Sequence, residues 1–144
     1  MDAALRAGIA IYDAGHYHAA HDAWEAHWLS LSEGSDDERF LHGLIQFTAL
    51  VHHGRRANWD GVRGLAESAD GYLAALPDGY RGVNLADVRR FLARAETDPT
   101  AVDWDRPPAL TYRGAPLALA DLDDDAARVA ADVLSGTSDS DGVE

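Results

Sequence analysis

Glu38-Arg39-Phe40-Leu41-His42-Gly43-Leu44-Ile45-Gln46-Phe47-Thr48-Ala49-Leu50-Val51-His52-His53 is the stretch that decides the fold. Placed at about 100° per residue, Phe40, Leu44, Phe47 and Val51 fall on one side and Leu41, Ile45 and Thr48 on the next, with Leu50 and Gly43 opposite those. Only one narrow stripe stays polar: His42, Gln46 and His53, with Ala49 between. A helix that is apolar over most of its circumference belongs in the middle of a bundle. Ser35 or Asp36 caps its start, and Glu38 lies three residues after Ser35, as a capping box requires. The predicted helix runs from about residue 37 to 56.

Helical spacing continues on both sides, and no segment alternates as a strand should. A first helix over residues 2–13 carries Leu5, Ile9 and Tyr12 on one stripe, with Gly15 as a stop. A second covers the aromatic and histidine-rich segment from His16 to Trp28, which holds four of the seven histidines. Asn58 caps a fourth helix to Leu76 with Val62, Leu65, Ala69 and Tyr72 inward, and Pro77-Asp78-Gly79 closes it. Gly61, Gly64 and Gly71 on that helix are spaced for close packing. Trp59 is a packing anchor at its start. Asn84 opens a fifth helix with Leu85, Val88, Phe91 and Leu92. Asp98-Pro99 and Arg106-Pro107-Pro108 then impose an extended segment, since proline disfavours helix in the residue before it. Residues 119–134 form a last, acidic helix started by the Asp123-Asp124-Asp125 run. The expected fold is all-α: a single domain over residues 1–134, a bundle of about five helices around a central third helix, an extended acidic C-terminal segment, and a disordered acidic tail over 135–144.

Charge narrows the function classes. The 144 residues hold 19 Asp, 6 Glu, 12 Arg and no Lys, for a net charge of −13. An aspartate-rich, lysine-free surface suits very concentrated salt, where screening removes repulsion between carboxylates. The expectation is a halophilic, cytoplasmic protein. Nucleic acid is not an expected partner, because phosphate contacts need clustered Lys and Arg. A membrane is not expected either, because no apolar run approaches the ~18 residues of a span. With no cysteine, disulfides, zinc fingers and thiol nucleophiles all fall away.

Chemistry concentrates in the second and third helices. His21 and Glu25 are four apart and share a side of the second helix, flanked by Tyr17, Trp24 and Trp28. If the two helices are antiparallel neighbours, as their short connection suggests, His21, Glu25, Trp28, Gln46 and His53 form one polar cluster between them. In the first reading this is a structural network, the His21–Glu25 pair satisfying both of its members. In the second it is a metal site for a divalent transition ion, with His21, Glu25 and His53 as ligands, His42 and His52 being further candidates. The spacing is HxxxE, so neither HExxH nor the ExxH of di-iron bundles is present. In the third it is an acid–base or ligand pocket. A plain solvent stripe in so acidic a chain should contain aspartate, and this one carries no formal charge at neutral pH.

These residues also carry a resemblance. Residues Ala14 to Trp28, then Phe40-Leu41-His42-Gly43-Leu44-Ile45-Gln46 and His53 to Asn58, resemble the domain-of-unknown-function 309 family over about residues 5–95. His21, Glu25, Trp28, Gly43, Leu44, Ile45, Gln46, His53 and Asn58 fall on its pattern. Ala19 stands where a Glu is usual, Asp22 for Glu, His42 for Gln and Ala57 for Gly. The resemblance implies a small all-α bundle and, by its name, no established activity. Loss of the acid at Ala19 weakens a multi-carboxylate metal site. The sequence therefore predicts a helical-bundle protein whose inward His/Glu/Gln cluster organises the core beside an unidentified small ligand. The alternative is a metal-dependent, hydrolase-like enzyme using His21, Glu25 and His53. A further reading is a homo-oligomer whose seam is the aromatic face of the second helix.

Overall fold

Ser35 begins the central helix by accepting a hydrogen bond from the Glu38 N–H, and the acidic first turn Asp36-Asp37-Glu38 suits the positive end of the helix dipole. The Glu38 side chain does not return to Ser35 as a full capping box would; it takes the N–H of Gly34 instead. The computed structural model describes residues 1–140, which form α1 (Asp2–Asp13), α2 (Tyr17–Trp28), α3 (Asp36–Arg55), α4 (Trp59–Leu73), α5 (Leu85–Thr97) and α6 (Asp124–Ser140). Short 3-10 turns lie between them, and the described residues contain isolated β-bridges but no strand. The all-α reading holds.

Phe40, Leu41, Leu44, Phe47, Leu50 and Val51 of α3 are wholly buried and Ile45 nearly so. Each removes about 1.5–3 kcal/mol worth of apolar surface from water. Helix α3 lies between α2 and α4, while α1 packs on α2, α5 on α4, and α6 on α1 and α2. Phe47 shows how central α3 is: its ring meets Tyr12 of α1 at 5.5 Å and Phe91 of α5 at 5.9 Å. Two close approaches depend on glycine. A Cβ on Gly43 would fall 2.6 Å from the Leu73 side chain, and one on Gly54 would fall 2.0 Å from the Trp104 ring. Gly64 and Gly71, expected to serve close packing, have nothing within 4 Å of such a Cβ. They face outward on α4, whose inner side is Val62, Ala66, Ala69 and Leu73. At Gly61 the atoms nearest to such a Cβ belong to its own cap, Asn58.

Helix α3 ends through Asn58 N–H to His53 and Ala57 N–H to Gly54, with Ala57 at φ 56°. Glycine suits this left-handed position, and alanine there costs about 1 kcal/mol. Asn84 starts α5 without a side-chain cap. Its amide donates to Asp87 and to the Ala109 carbonyl and accepts from the Thr111 N–H, so it ties down the extended segment instead. That segment is also held by the Tyr12 hydroxyl donating to the Pro108 carbonyl at 2.8 Å and by Asp13 accepting from Leu110 N–H at 2.9 Å. Asp123 accepts from Ala126 N–H at the start of α6 and pairs with Arg6 at 2.6 Å. Trp59 meets Trp104 with ring centroids 6.4 Å apart, in keeping with its expected anchoring. Helix α6 continues past Leu134 to Ser140. Of the expected tail, residues 141–144 lie outside the described residues.

Candidate functional site

The N-terminal half of α3 places Glu38, His42 and Gln46 one turn apart on a single stripe. The Glu38 carboxylate is nearly buried. It accepts the Trp28 indole N–H and faces His42 Nδ1 at 3.3 Å through Oε2, and takes the Gly34 N–H through Oε1. A carboxylate only accepts, so His42 donates from Nδ1, and its Nε2 then accepts the Gln46 amide at 3.3 Å. The imidazole stacks on Tyr72 of α4 at 3.9 Å and meets Trp28 of α2 at 4.7 Å. Both His42 nitrogens are therefore engaged, and its ring is packed against two aromatic side chains. Burial pushes the Glu38 carboxyl up, but the hydrogen bonds from Trp28, Gly34 and His42 together outweigh that and hold it below the usual range.

Beside this cluster opens a cleft of about 420 Å³. Trp28, Glu38, His42 and Tyr72 line its inner wall, and Leu29, Leu31, Glu33 and Arg39 its mouth. Leu29 is 71% exposed, the large hydrophobic residue that stands out as uncovered among the described residues. Behind His42, the Gln46 Oε1 is buried with no hydrogen-bond partner.

The five residues expected in one cluster divide into three groups. Trp28 and Gln46 belong to the Glu38–His42 centre. His21 and Glu25 pair with each other at 3.3 Å, their side chains 27% and 43% exposed, and His21 also meets the His18 ring. His53 faces the Asn58 amide at 3.1 Å at the C-terminal end of α3. It lies two turns beyond Gln46, roughly 10 Å along the axis, and so too far to share its cluster. Among the described residues, no three His, Asp or Glu side chains are grouped to hold a metal ion. Trp24 is buried inside its own chain, with its indole N–H on the Leu5 carbonyl, and so offers nothing to a seam between copies. Sequence reasoning missed Glu38 and Tyr72 as site residues. The i, i+4, i+8 run of Glu38, His42 and Gln46 was the available signal, but Glu38 had been assigned to capping alone.

The family described as "Domain of unknown function (DUF309)" matches residues 5–65, somewhat less than half of the chain. That stretch includes Trp28, Glu38, His42 and Gln46 and stops short of Tyr72. A curated relative from Aquifex aeolicus (strain VF5), titled "Uncharacterized protein", is 26% identical over 81 residues, or 56% of this chain. The match covers 24% of that relative's length, so the chain spans about a quarter of it. These likenesses accord with a helical protein to which neither title attaches an activity. Among the described residues, no helix is long and apolar enough to cross a membrane.

Proposed function

We propose that this protein is a helical binding module whose recognition site is the cleft between α2, α3 and α4. The observation that carries this is an exposed Leu29 at the mouth of a cavity whose inner wall is a buried, hydrogen-bonded carboxylate and imidazole between aromatic rings. Pockets that combine apolar walls with a few fixed polar groups are the usual form of small-molecule sites. Binding is favoured over acid–base catalysis because a general base needs a free lone pair, and Gln46 occupies His42 Nε2. The ligand that fits has a flat apolar body to lie along Trp28 and Leu29 and a hydrogen-bonding edge for the Glu38 side. The acidic, lysine-free composition supports a working place in the concentrated salt of a halophile's cytosol.

The Trp28 indole N–H, held on Glu38, is a built-in NMR reporter. Small heteroaromatic fragments at millimolar concentration should shift its resonance, and Leu29→Ser should weaken the tightest of them several-fold. A fragment set that never moves that resonance, or binding indifferent to Leu29→Ser, would sink the proposal.

A further inference from the structure

A second cleft, of about 350 Å³, lies on the far part of the chain between α5 and the extended segment. Arg90 and Arg94 stand one turn apart on α5, and Arg106 approaches from the turn in which its N–H bonds the Asp103 carbonyl. Three of the chain's 12 cationic side chains thus line one cavity of a molecule carrying −13. Two carboxylates share the cleft, so three arginines leave it one net positive charge. Asp87 is bound by Asn84 and Arg90, and Asp103 accepts the Asp105 N–H. Among the described residues, Arg94 and Arg106 make no ion pair. Guanidinium groups without partners, aimed at a common space, suit the paired oxygens of a carboxylate or phosphoryl group.

Behind the arginines the surface is apolar, with Phe91, Val102 and Pro108 in the wall. An adjoining cleft of about 330 Å³ shares Arg94 and Val102 and continues along Ala93, Thr97, Ala101 and Asp98, whose carboxylate accepts the Thr100 N–H and hydroxyl. The two together form a groove that is cationic at one end and, apart from Asp98 at its edge, largely apolar at the other. We propose that this groove binds a small amphiphilic anion, a carboxylate or phosphoryl head on an acyl-like chain, with Arg94 and Arg106 on the head and the Val102 side receiving the chain. A nucleic acid does not fit, since the net charge of the whole molecule repels a polyanion. The groove shares no residue with the α2–α3–α4 cleft, so the two proposals stand or fall separately.

The test is titration of the full chain with sodium octanoate, octyl phosphate, sodium acetate and 1-octanol, followed by NMR of backbone amides. Octanoate or octyl phosphate should shift amides within residues 91–108 and bind at least tenfold tighter than acetate or octanol. Whichever of the two binds tighter identifies the head group. Arg94→Gln and Arg106→Gln should each weaken that probe five-fold or more, while Arg128→Gln on α6 leaves it unchanged. Absence of binding by both amphiphiles would overturn the proposal. So would shifts centred elsewhere, or equal affinity in the two groove variants and the parent.

Discussion

Replacing Glu38 by Gln changes one atom and no volume, yet it should be among the most damaging polar substitutions in the molecule. The carboxylate receives three donors, two of them on the same oxygen. A glutamine amide has one acceptor oxygen. If that oxygen serves Trp28 and His42, the amide NH₂ confronts the Gly34 N–H; if it serves Gly34, the NH₂ confronts two donors. At least one charge-assisted bond is lost and one buried donor is left unmatched, a cost of about 2–4 kcal/mol. For a chain of this size that is a fall in Tm of roughly 5–15 °C. Glu25→Gln makes the informative comparison. Its pair with His21 is substantially exposed, so its loss should fall within about 1 kcal/mol. Urea titrations of both variants, read at unchanged m-value, give the difference directly. A Glu25 variant as damaged as the Glu38 variant would refute this assignment of the polar centre, as would a Glu38→Gln cost below about 1 kcal/mol.

Stability should fall with acid in two steps. His27 is lowered by burial and by the nearby N-terminal amino group, so the unfolded chain takes up its proton first and stability declines as pH drops below about 6.5. Asp37, lowered chiefly by its Arg81 hydrogen bonds, and Glu38 also titrate below their unfolded values. Their contribution is complete above about pH 4.3 and is lost as pH falls through the lower folded values. Asp13, raised by burial against its Leu110 bond, works in the opposite direction. Urea midpoints from pH 8 to 3 should show both steps, His27→Gln should remove the upper one, and a flat profile would contradict the scheme. Dialysis into dilute buffer should cost helical circular dichroism, because 19 aspartates repel with no lysine to offset them; an unchanged melting temperature would mean that the acidity serves another purpose.

The helices were legible because each announces itself locally: the Ser35 and Asn58 caps, the largely apolar circumference of α3, and Pro77 after α4. The buried set Leu44, Ile45, Phe47 and Val51 followed from the same periodicity. The polar centre was only half legible. Periodicity places Trp28, His42 and Gln46 on facing stripes, but it says nothing of the depth at which two antiparallel helices are set against each other. That depth puts Trp28 beside Glu38 and leaves His21 and Glu25 toward solvent. Asn84 was misread for a similar reason. Asparagine before a helix suggests a cap, whereas its amide was claimed by Ala109 and Thr111, residues distant in sequence. Ala57 needed the structure as well, since only the observed φ explains why glycine suits that turn.

The ties between α1 and the far end of the chain bear on the order of assembly. Arg6–Asp123, Tyr12–Pro108 and Asp13–Leu110 close separations of 117, 96 and 97 residues, whereas α3 and α4 pack mainly on the helices next to them in the chain. On a ribosome adding ~5–20 residues per second, α1 would wait roughly 5–20 s for these partners. During that wait the side of α1 destined for α6 stays open to whatever apolar surface is near. Ribosome-stalled chains lacking α6 should accordingly be cut by protease within α1 before α3. The seam between α1 and α6 then closes later than the packing of α2, α3 and α4, and is the one more in need of shelter while the protein is being born.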